Sequence, residues 1–384
     1  MERLDIAPRA DWRTRVESQG LHFHTTEDVP YWNEAACYRF ARREIDVLEA
    51  ATVALNTMCL EAVEQVIAEN RFAEFLIPPA LVPWIKRSWE EDEISICGRF
   101  DLVHDGQRPP QLLEYNADTP TSLVEAAVVQ WHWLQDVSAR DGLKADQVNS
   151  IHDRLLEAWR RALYEYGAAA NGRMAFAGLG LQESVEDFVT LAYHADLAGQ
   201  AGWQTLMLGM ADIGFDARRR RFVDRQQRPL DWCFKLYPWE WMANEAFGRQ
   251  LPTAPTRWLE PPWKMLLSNK MLLVVLAELF PQSPYLLRCA REPFGPTYVR
   301  KPLLSREGAN VAVIHEGVAM VETAGPYHGP CICQEFRALP SFDGQYAVVG
   351  SWLVNGHACG LGLREDPSLV TGNASRFVPH YFVP

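Results

Sequence analysis

The sequence has no apolar run near the roughly 20 residues that a membrane-crossing helix needs. Its opening, MERLDIAPRADWRTRVE, lacks the apolar core of a signal peptide. No two cysteines stand at C-x-x-C spacing. Cys37, Cys59, Cys97, Cys233, Cys289, Cys331, Cys333 and Cys359 are scattered, the pair at 331 and 333 alternating along an apparent strand. That pattern excludes a zinc ribbon and a disulfide frame, and fits reduced, buried thiols in a cytoplasmic protein. The ten histidines form no metal-ligand spacing. Basic excess is missing as well. The formal charge is −12, which argues against nucleic acid as a partner, although a local basic pocket for a nucleotide is compatible with it. Internal repeats and low-complexity stretches are absent.

What is present suffices for one large or two to three ordinary domains: 384 residues, 48% of them apolar. Fourteen tryptophans suit core and groove walls. The most informative stretch is ISICGRFDLVHDGQRPPQLLEYNADTPTS, from Ile94 to Ser122. It reads as two short strands around a polar turn that Pro109 and Pro110 punctuate. Closure about Gln107 and Arg108 places Phe100 opposite Tyr115 and Leu102 opposite Leu113 on an apolar face. The other face then pairs Asp101 with Glu114 and Arg99 with Asn116. Directly opposed Cβ atoms lie ~4.5–5.5 Å apart, so two carboxylates stand side by side and repel unless a cation separates them. Asp, Glu and Asn oxygens are the hard ligands Mg²⁺ takes alongside waters and substrate phosphates. Arg99 beside them can reach a phosphoryl oxygen. A hairpin with one face in water gives the same pattern, and a one-residue bulge would break the pairing.

Along the chain, residues 1–33 read as irregular, with Pro30, Tyr31 and Trp32 packed on the core. A helix is expected from Asn33 to about Asn70, closed off by Pro78, Pro79 and Pro83 ahead of the hairpin. After Asn116, a turn rich in hydroxyls enters a helix near Ser122, which suits either an anion or simple capping. Helices are expected over 123–138, 145–167 and 185–201, and strands at Met174–Leu179 and Thr205–Gly209 complete a small α/β unit. Its strand-to-helix turn carries Glu183, Glu186 and Asp187, able to bind an amine or merely to complement a helix dipole. Further strands follow at 222–224 and 233–237, then a helix opening at Pro238 and another from Ser268 to Phe280. Tyr298–Pro302 and Val311–His315 flank the loop Ser305–Asn310. Arg306 and Gly308 in this loop, beside Lys301, can lie over a polyphosphate, though any hairpin needs such a glycine. The strand Cys331–Phe336 and a hairpin (346–354, 358–363) ending at Arg364 complete the chain.

Taken together, GRFD (98–101), LEYNADTPTS (113–122), SNK (268–270), YVRKPLLSREGANV (298–311), CICQEF (331–336) and GLGLRED (360–366) resemble the synthetase part of the glutathionylspermidine synthase family, in particular its stand-alone bacterial members. The resemblance implies a permuted ATP-grasp fold of the glutathione synthetase kind, mixed α+β and α/β. Residues 1–170 would hold the N-terminal helices and the metal hairpin, 171–255 a pre-ATP-grasp α/β unit, and 256–384 the nucleotide lobe. It implies ATP as co-substrate with two Mg²⁺ ions. Asp101, Glu114 and Asn116 match the magnesium ligands, and Arg99 the arginine that stabilises the transferred phosphoryl. Lys270 and Lys301 match the phosphate lysines, Arg306 and Gly308 the glycine loop, Gln334 and Glu335 the adenine hinge, and Arg364 a second phosphate-side arginine. Thr119 and Thr121 fall where the acid's carboxylate is met, and Glu186 with Asp187 near residues that meet a polyamine. The paired amidase domain of the bifunctional enzymes has no room in 384 residues. The expected activity is therefore ATP-dependent joining of a small-molecule or peptide carboxylate to an amine through an acyl phosphate. Two other classes fit parts of the pattern. A two-carboxylate hydrolase leaves Lys301, Arg306 and Gly308 without work, and a non-catalytic ATP-binding protein leaves Arg99 and the metal set without work.

Overall fold

The structure, a computed structural model of the chain, describes residues 1–26, 28–167, 171–372 and 375–383. The boundary expected at 170/171 touches residues 168–170, outside that set. Four sheets of three or more strands carry the fold among the described residues. The site hairpin, Cys97–Val103 with Gln111–Asn116, forms one side of a sheet continued by Gln345–Val354, His357–Asp366 and Arg376–Val378. Beside it lies a five-stranded antiparallel sheet in the order Cys289–Ala290, Cys331–Glu335, Thr297–Pro302, Ala312–His315, Val318–Glu322. A wholly parallel sheet joins Arg257–Leu259, Trp232–Leu236, Arg173–Gly178 and Gln204–Gly209. The last sheet, Glu2–Asp5, Ala36–Ala41 and His380–Val383, ties both ends of the chain together.

The hairpin register follows the expected pairing for three positions: Arg99 faces Asn116, Phe100 faces Tyr115 and Asp101 faces Glu114. It departs at the fourth. A bulge after Asp101 sets Leu102 against Leu112, not Leu113, because Leu113 is the extra residue on its strand. Leu112 stays in the main core, while the Leu113 side chain joins a small cluster with Val103, Leu339 and Val348.

Other departures have local causes. Ala36–Ala41 is a strand, and the long helix starts only at Arg42 and ends at Ala68. Tyr38 and Phe40 are buried on that strand. Glu44 then opens the helix by accepting from the Ala41 N–H at 2.9 Å. Pro83 starts a helix instead of ending one: it sits in the first turn of Val82–Glu90, where its missing N–H costs nothing. Residues 1–33 hold the strand Glu2–Asp5 and the helix Trp12–Ser18. The helix expected from 145 begins at Ile151, since Asp146 and Asn149 bridge to Phe382 and Gly360 in extended backbone. The helix after Ser122 contains a π-helical turn, Glu125–Val129, before Gln130–Asp141. The helix Val185–Ala201 matches its expected bounds. All eight cysteines are free. Among the described residues no helix is long and apolar enough to cross a membrane.

Candidate active site

The hairpin is held rigid from its apolar side. The Phe100 and Tyr115 rings lie 4.1 Å apart between centroids. Gly98 lets the tyrosine lie flat, because a Cβ there would meet its ring at 2.8 Å. On the polar side, a Cβ at Gly350 of the neighbouring strand would sit 3.0 Å from the Arg99 Cδ, so the glycine clears the path of that side chain. Arg99 is buried. Its Nε donates to Asp101 Oδ1 at 2.9 Å, a terminal nitrogen donates to the Thr121 carbonyl, and its guanidinium lies 5.7 Å from the centre of the Trp352 ring.

Four cations surround the two opposed carboxylates. Asp101 Oδ2 accepts from Arg364 at 2.8 Å and from Asn116 Nδ2 at 3.2 Å. Glu114 lies 3.3 Å from the Lys270 ammonium and 3.5 Å from Asn116 Nδ2. Burial works to raise the Glu114 pKa, but Lys270, Lys301 and Arg364 outweigh it and bring it down to about 2. The bulge turns the Leu113 carbonyl to accept from Lys301 Nζ at 2.9 Å, and Gln334 Oε1 accepts from the same ammonium at 2.7 Å. Burial pushes Lys301 down to about 8, with Glu114 opposing and Lys270 assisting. Lys270 also donates to the Ser305 carbonyl, which ties it to the glycine-bearing loop.

Two adjoining clefts meet at Glu114. The larger, about 310 Å³, is lined by Arg99, Glu114, Asn116, Thr119, Thr121, Glu186, Asp187, Lys270, Arg306, Gly308 and Arg364 among others. The smaller, about 90 Å³, holds Asp101, Glu114, Lys301, Gly308, Gln334 and Glu335, with apolar walls from Val299, Val313, Phe336 and Leu339. Every site residue expected from the sequence lines one or both. Gly308 has φ +68°, and a Cβ there would stand 2.3 Å from the Thr371 carbonyl, so the loop can close against residue 371 only with glycine. Arg306 reaches across the larger cleft: it donates to Thr119 Oγ1 at 2.7 Å and to Glu240 Oε1 at 2.8 Å. Asp187 is pushed up to about 6 by burial and by Glu186.

As for a metal, no group of three or more His, Cys, Asp or Glu side chains converges among the described residues. Two carboxylates with an amide are nevertheless the hard-oxygen set that Mg²⁺ uses when phosphates and waters complete its shell. The donor set fits that ion, with Glu114 the carboxylate less committed to protein partners.

Several residues of the site were given no role by the sequence, some of them inside its motifs. Asp118 and Lys235 form a fully buried pair, Asp118 also accepts from the Trp239 N–H at 3.0 Å, and the ammonium lies 4.3 Å from the Trp239 ring centre. Burial lowers the Lys235 pKa against the pull of Asp118. A lone lysine in the apolar strand WCFKL was the available signal. Asp118→Ala is expected to destabilise the chain by about 3–5 kcal/mol, because it strands a buried ammonium. Adding Lys235→Met should recover most of that loss in a denaturant titration. Glu240, which holds Arg306, and Glu125 carried no sequence signal beyond their residue types, while Tyr31 was expected only to pack on the core and Ser122 only to open a helix that suits an anion or a cap.

Known proteins resemble this chain over most of its length. The family model of glutathionylspermidine synthase, in its pre-ATP-grasp form, matches residues 3–383. A Haemophilus influenzae protein named as an acid–amine ligase is 41% identical over 402 residues, covering 100% of both chains. Trypanothione synthetase of Crithidia fasciculata is 27% identical over 84% of this chain and 53% of its own. The bifunctional glutathionylspermidine synthetase/amidase of Escherichia coli is 27% identical over 86% of this chain and 56% of its own. The chain thus spans a little over half the length of the latter two. Among solved structures, a glutathione synthetase-like effector of Globodera pallida superimposes with a TM-score of 0.59 at 10% identity, over 97% of this chain and 96% of that one. That likeness speaks to the fold, and it bears out the expected mixed ATP-grasp architecture. With a family match running almost from end to end, the chain belongs to the glutathionylspermidine synthase family of ATP-dependent amide-forming ligases.

Proposed function

We propose that this chain joins a small-molecule or peptide carboxylate to an amine, with ATP as co-substrate and an acyl phosphate as intermediate. The observation that carries the reading is the pair Asp101–Glu114 with Asn116, ringed by Arg99, Arg364, Lys270 and Lys301 where the two clefts meet. Asp101, Glu114 and Asn116 would hold Mg²⁺, two ions in the full site, which supplies charge neutralisation and alignment of the phosphates. The apolar smaller cleft takes the adenine, with Gln334 and Glu335 at its hinge, and Lys301 and Lys270 take phosphate oxygens beside it. Arg99 and Arg364 bracket the γ-phosphoryl and stabilise charge that spreads during transfer. Thr119, Thr121 and Arg306 meet the acid, and Glu186 with Asp187 meet a cationic amine, a polyamine among the candidates. The loop 305–310 keeps water from the acyl phosphate. The three segments 1–170, 171–255 and 256–384 would correspond to hairpin lobe, substrate unit and nucleotide lobe.

The test is ADP release from Mg-ATP against glutathione, short peptides, amino acids and polyamines, each alone and in pairs. Pair-dependent ADP release is the expected result, and it would name both substrates. Calorimetric ATP binding without turnover for any pair would favour a binding protein. No ATP binding at all would overturn the reading.

A further inference from the structure

Among the residues lining the larger cleft stands a tyrosine with a buried carboxyl behind it. Tyr31 and Ser122 line the cleft, and Tyr31 donates its hydroxyl proton to Glu125 Oε1 at 2.7 Å. The Ser122 hydroxyl lies 3.3 Å from the Tyr31 oxygen. Glu125 is only 1% exposed and sits on the π-helical turn Glu125–Val129, a distortion frequent at functional sites. Ser122, just ahead of it, is held at φ +62°, unusual for a side chain other than glycine. The groups facing Glu125 are Tyr31, Arg99 from the site hairpin and Glu186 from the helix Val185–Ala201. Tyr31 and Glu186 both act on the charge of Arg364, and all three line the larger cleft together with Arg99 and Asp187.

A cationic amine must lose a proton before its nitrogen can attack an acyl phosphate, and the ring of cations at the hairpin is poorly suited to take it. We infer that Tyr31 accepts the proton of the attacking amine while its own phenolic proton passes to Glu125. The inference rests on the ligase reading above. In the step, the nitrogen lone pair forms the C–N bond. The C–O bond to phosphate breaks and its electron pair leaves on inorganic phosphate. The amine arrives as an ammonium: its proton moves to the Tyr31 oxygen as the phenolic proton moves to the Glu125 carboxylate, which frees that lone pair and leaves Glu125 as the neutral acid, and the second N–H proton, lost as the amide forms, leaves on the phosphate. Tyr31 is the catalytic residue here, and Glu125 acts through it. Burial and then Glu186 push the Glu125 pKa up to about 7, which suits a group that must be ionised before attack and protonated after it. A tyrosine needing only a structural partner would be served equally well by a neutral glutamine.

The experiment separates the half-reactions in Glu125→Gln, Glu125→Asp and Tyr31→Phe. The acid that supports pair-dependent ADP release is given alone with ATP labelled at its β,γ-bridging oxygen, and scrambling of the label reports acyl-phosphate formation. The complete reaction is then run with the natural amine and with hydroxylamine, a nucleophile largely unprotonated at neutral pH. Expected are wild-type scrambling, kcat for the natural amine down ~10²-fold in Glu125→Gln and Tyr31→Phe, partial rescue in Glu125→Asp and near-wild-type hydroxamate formation. The rise of kcat through about pH 7 should vanish in Glu125→Gln. Asp187 remains in that variant, so its own titration cannot imitate the loss. Equal losses with both nucleophiles, or an unchanged pH limb, would overturn the relay. Should Glu125→Gln fold poorly, Tyr31→Phe decides by the same comparison. Absence of scrambling in the wild-type chain would instead sink the acyl-phosphate reading, and the relay with it.

Discussion

Glu114→Ala is expected to take Mg-dependent ADP release below detection while the chain still folds. Two effects combine. First, Asp101 already accepts from Arg99, Arg364 and Asn116, whereas Glu114 is approached only at 3.3 and 3.5 Å. On the proposed assignment, a divalent ion keeping its waters and phosphate oxygens would therefore lose its most available protein ligand. Second, Glu114 opposes the burial and the Lys270 repulsion that hold Lys301 near 8. Without it, Lys301 falls further and spends part of its time neutral at assay pH, which would weaken the hold on phosphate proposed for it. Glu114→Gln keeps the shape but not the charge, so it should lose activity almost as fully. Circular dichroism confirms the fold, and a magnesium titration reports the ion. Activity near wild type in either variant would sink the metal assignment.

How much of this was legible in the sequence depends on the range of the forces involved. The facing of Asp101 and Glu114 followed from strand alternation and turn position, both local, and the structure keeps it. The bulge beyond Asp101 did not follow, because what it secures is distant: the Leu113 carbonyl turns to Lys301, far along the chain. The same division explains Ala36–Ala41. Its residues fit a helical stripe as well as an alternating strand, and only Glu2–Asp5 and His380–Val383 on either side decide the matter. Val185–Ala201 was readable at both ends because its signals are its own: Ser184 caps it by accepting from the Asp187 N–H, and Gly202 closes it in the left-handed conformation. Within the site, Arg99, Asp101, Glu114 and Asn116 stood out by type and spacing, whereas Lys270, Gln334, Glu335, Arg364, Thr119 and Thr121 were singled out only by the family resemblance. Their partners Glu240, Lys235, Tyr31 and Glu125 were given no role in the site, since a buried acid or lysine becomes informative only once its neighbour is known.

Arg99→Ala should keep ATP affinity within a few-fold and lose ~10²–10³ in turnover, the usual cost of removing a preorganised charge-stabilising donor. The guanidinium is fixed before substrate arrives: one nitrogen on Asp101, another on the Thr121 carbonyl, its stem in the space left by Gly350. Orientation is thus settled in the folded chain, and little is left to reorganise when charge moves from ATP to the acyl group. In the proposed site nucleotide affinity would rest on other groups, Lys301, Gln334 and the apolar cleft, which the substitution leaves unaffected. The fold should tolerate the change, because Asp101 keeps Arg364 and Asn116 as partners. Lysine cannot substitute, since an ammonium has no fork to span Asp101 and Thr121 while facing a phosphoryl oxygen. Arg99→Lys should therefore fall with Arg99→Ala instead of rescuing it. Steady-state ADP release with calorimetric ATP titration measures both quantities. If ATP binding disappears along with turnover, Arg99 holds the ground state, and the transition-state role passes to Arg364.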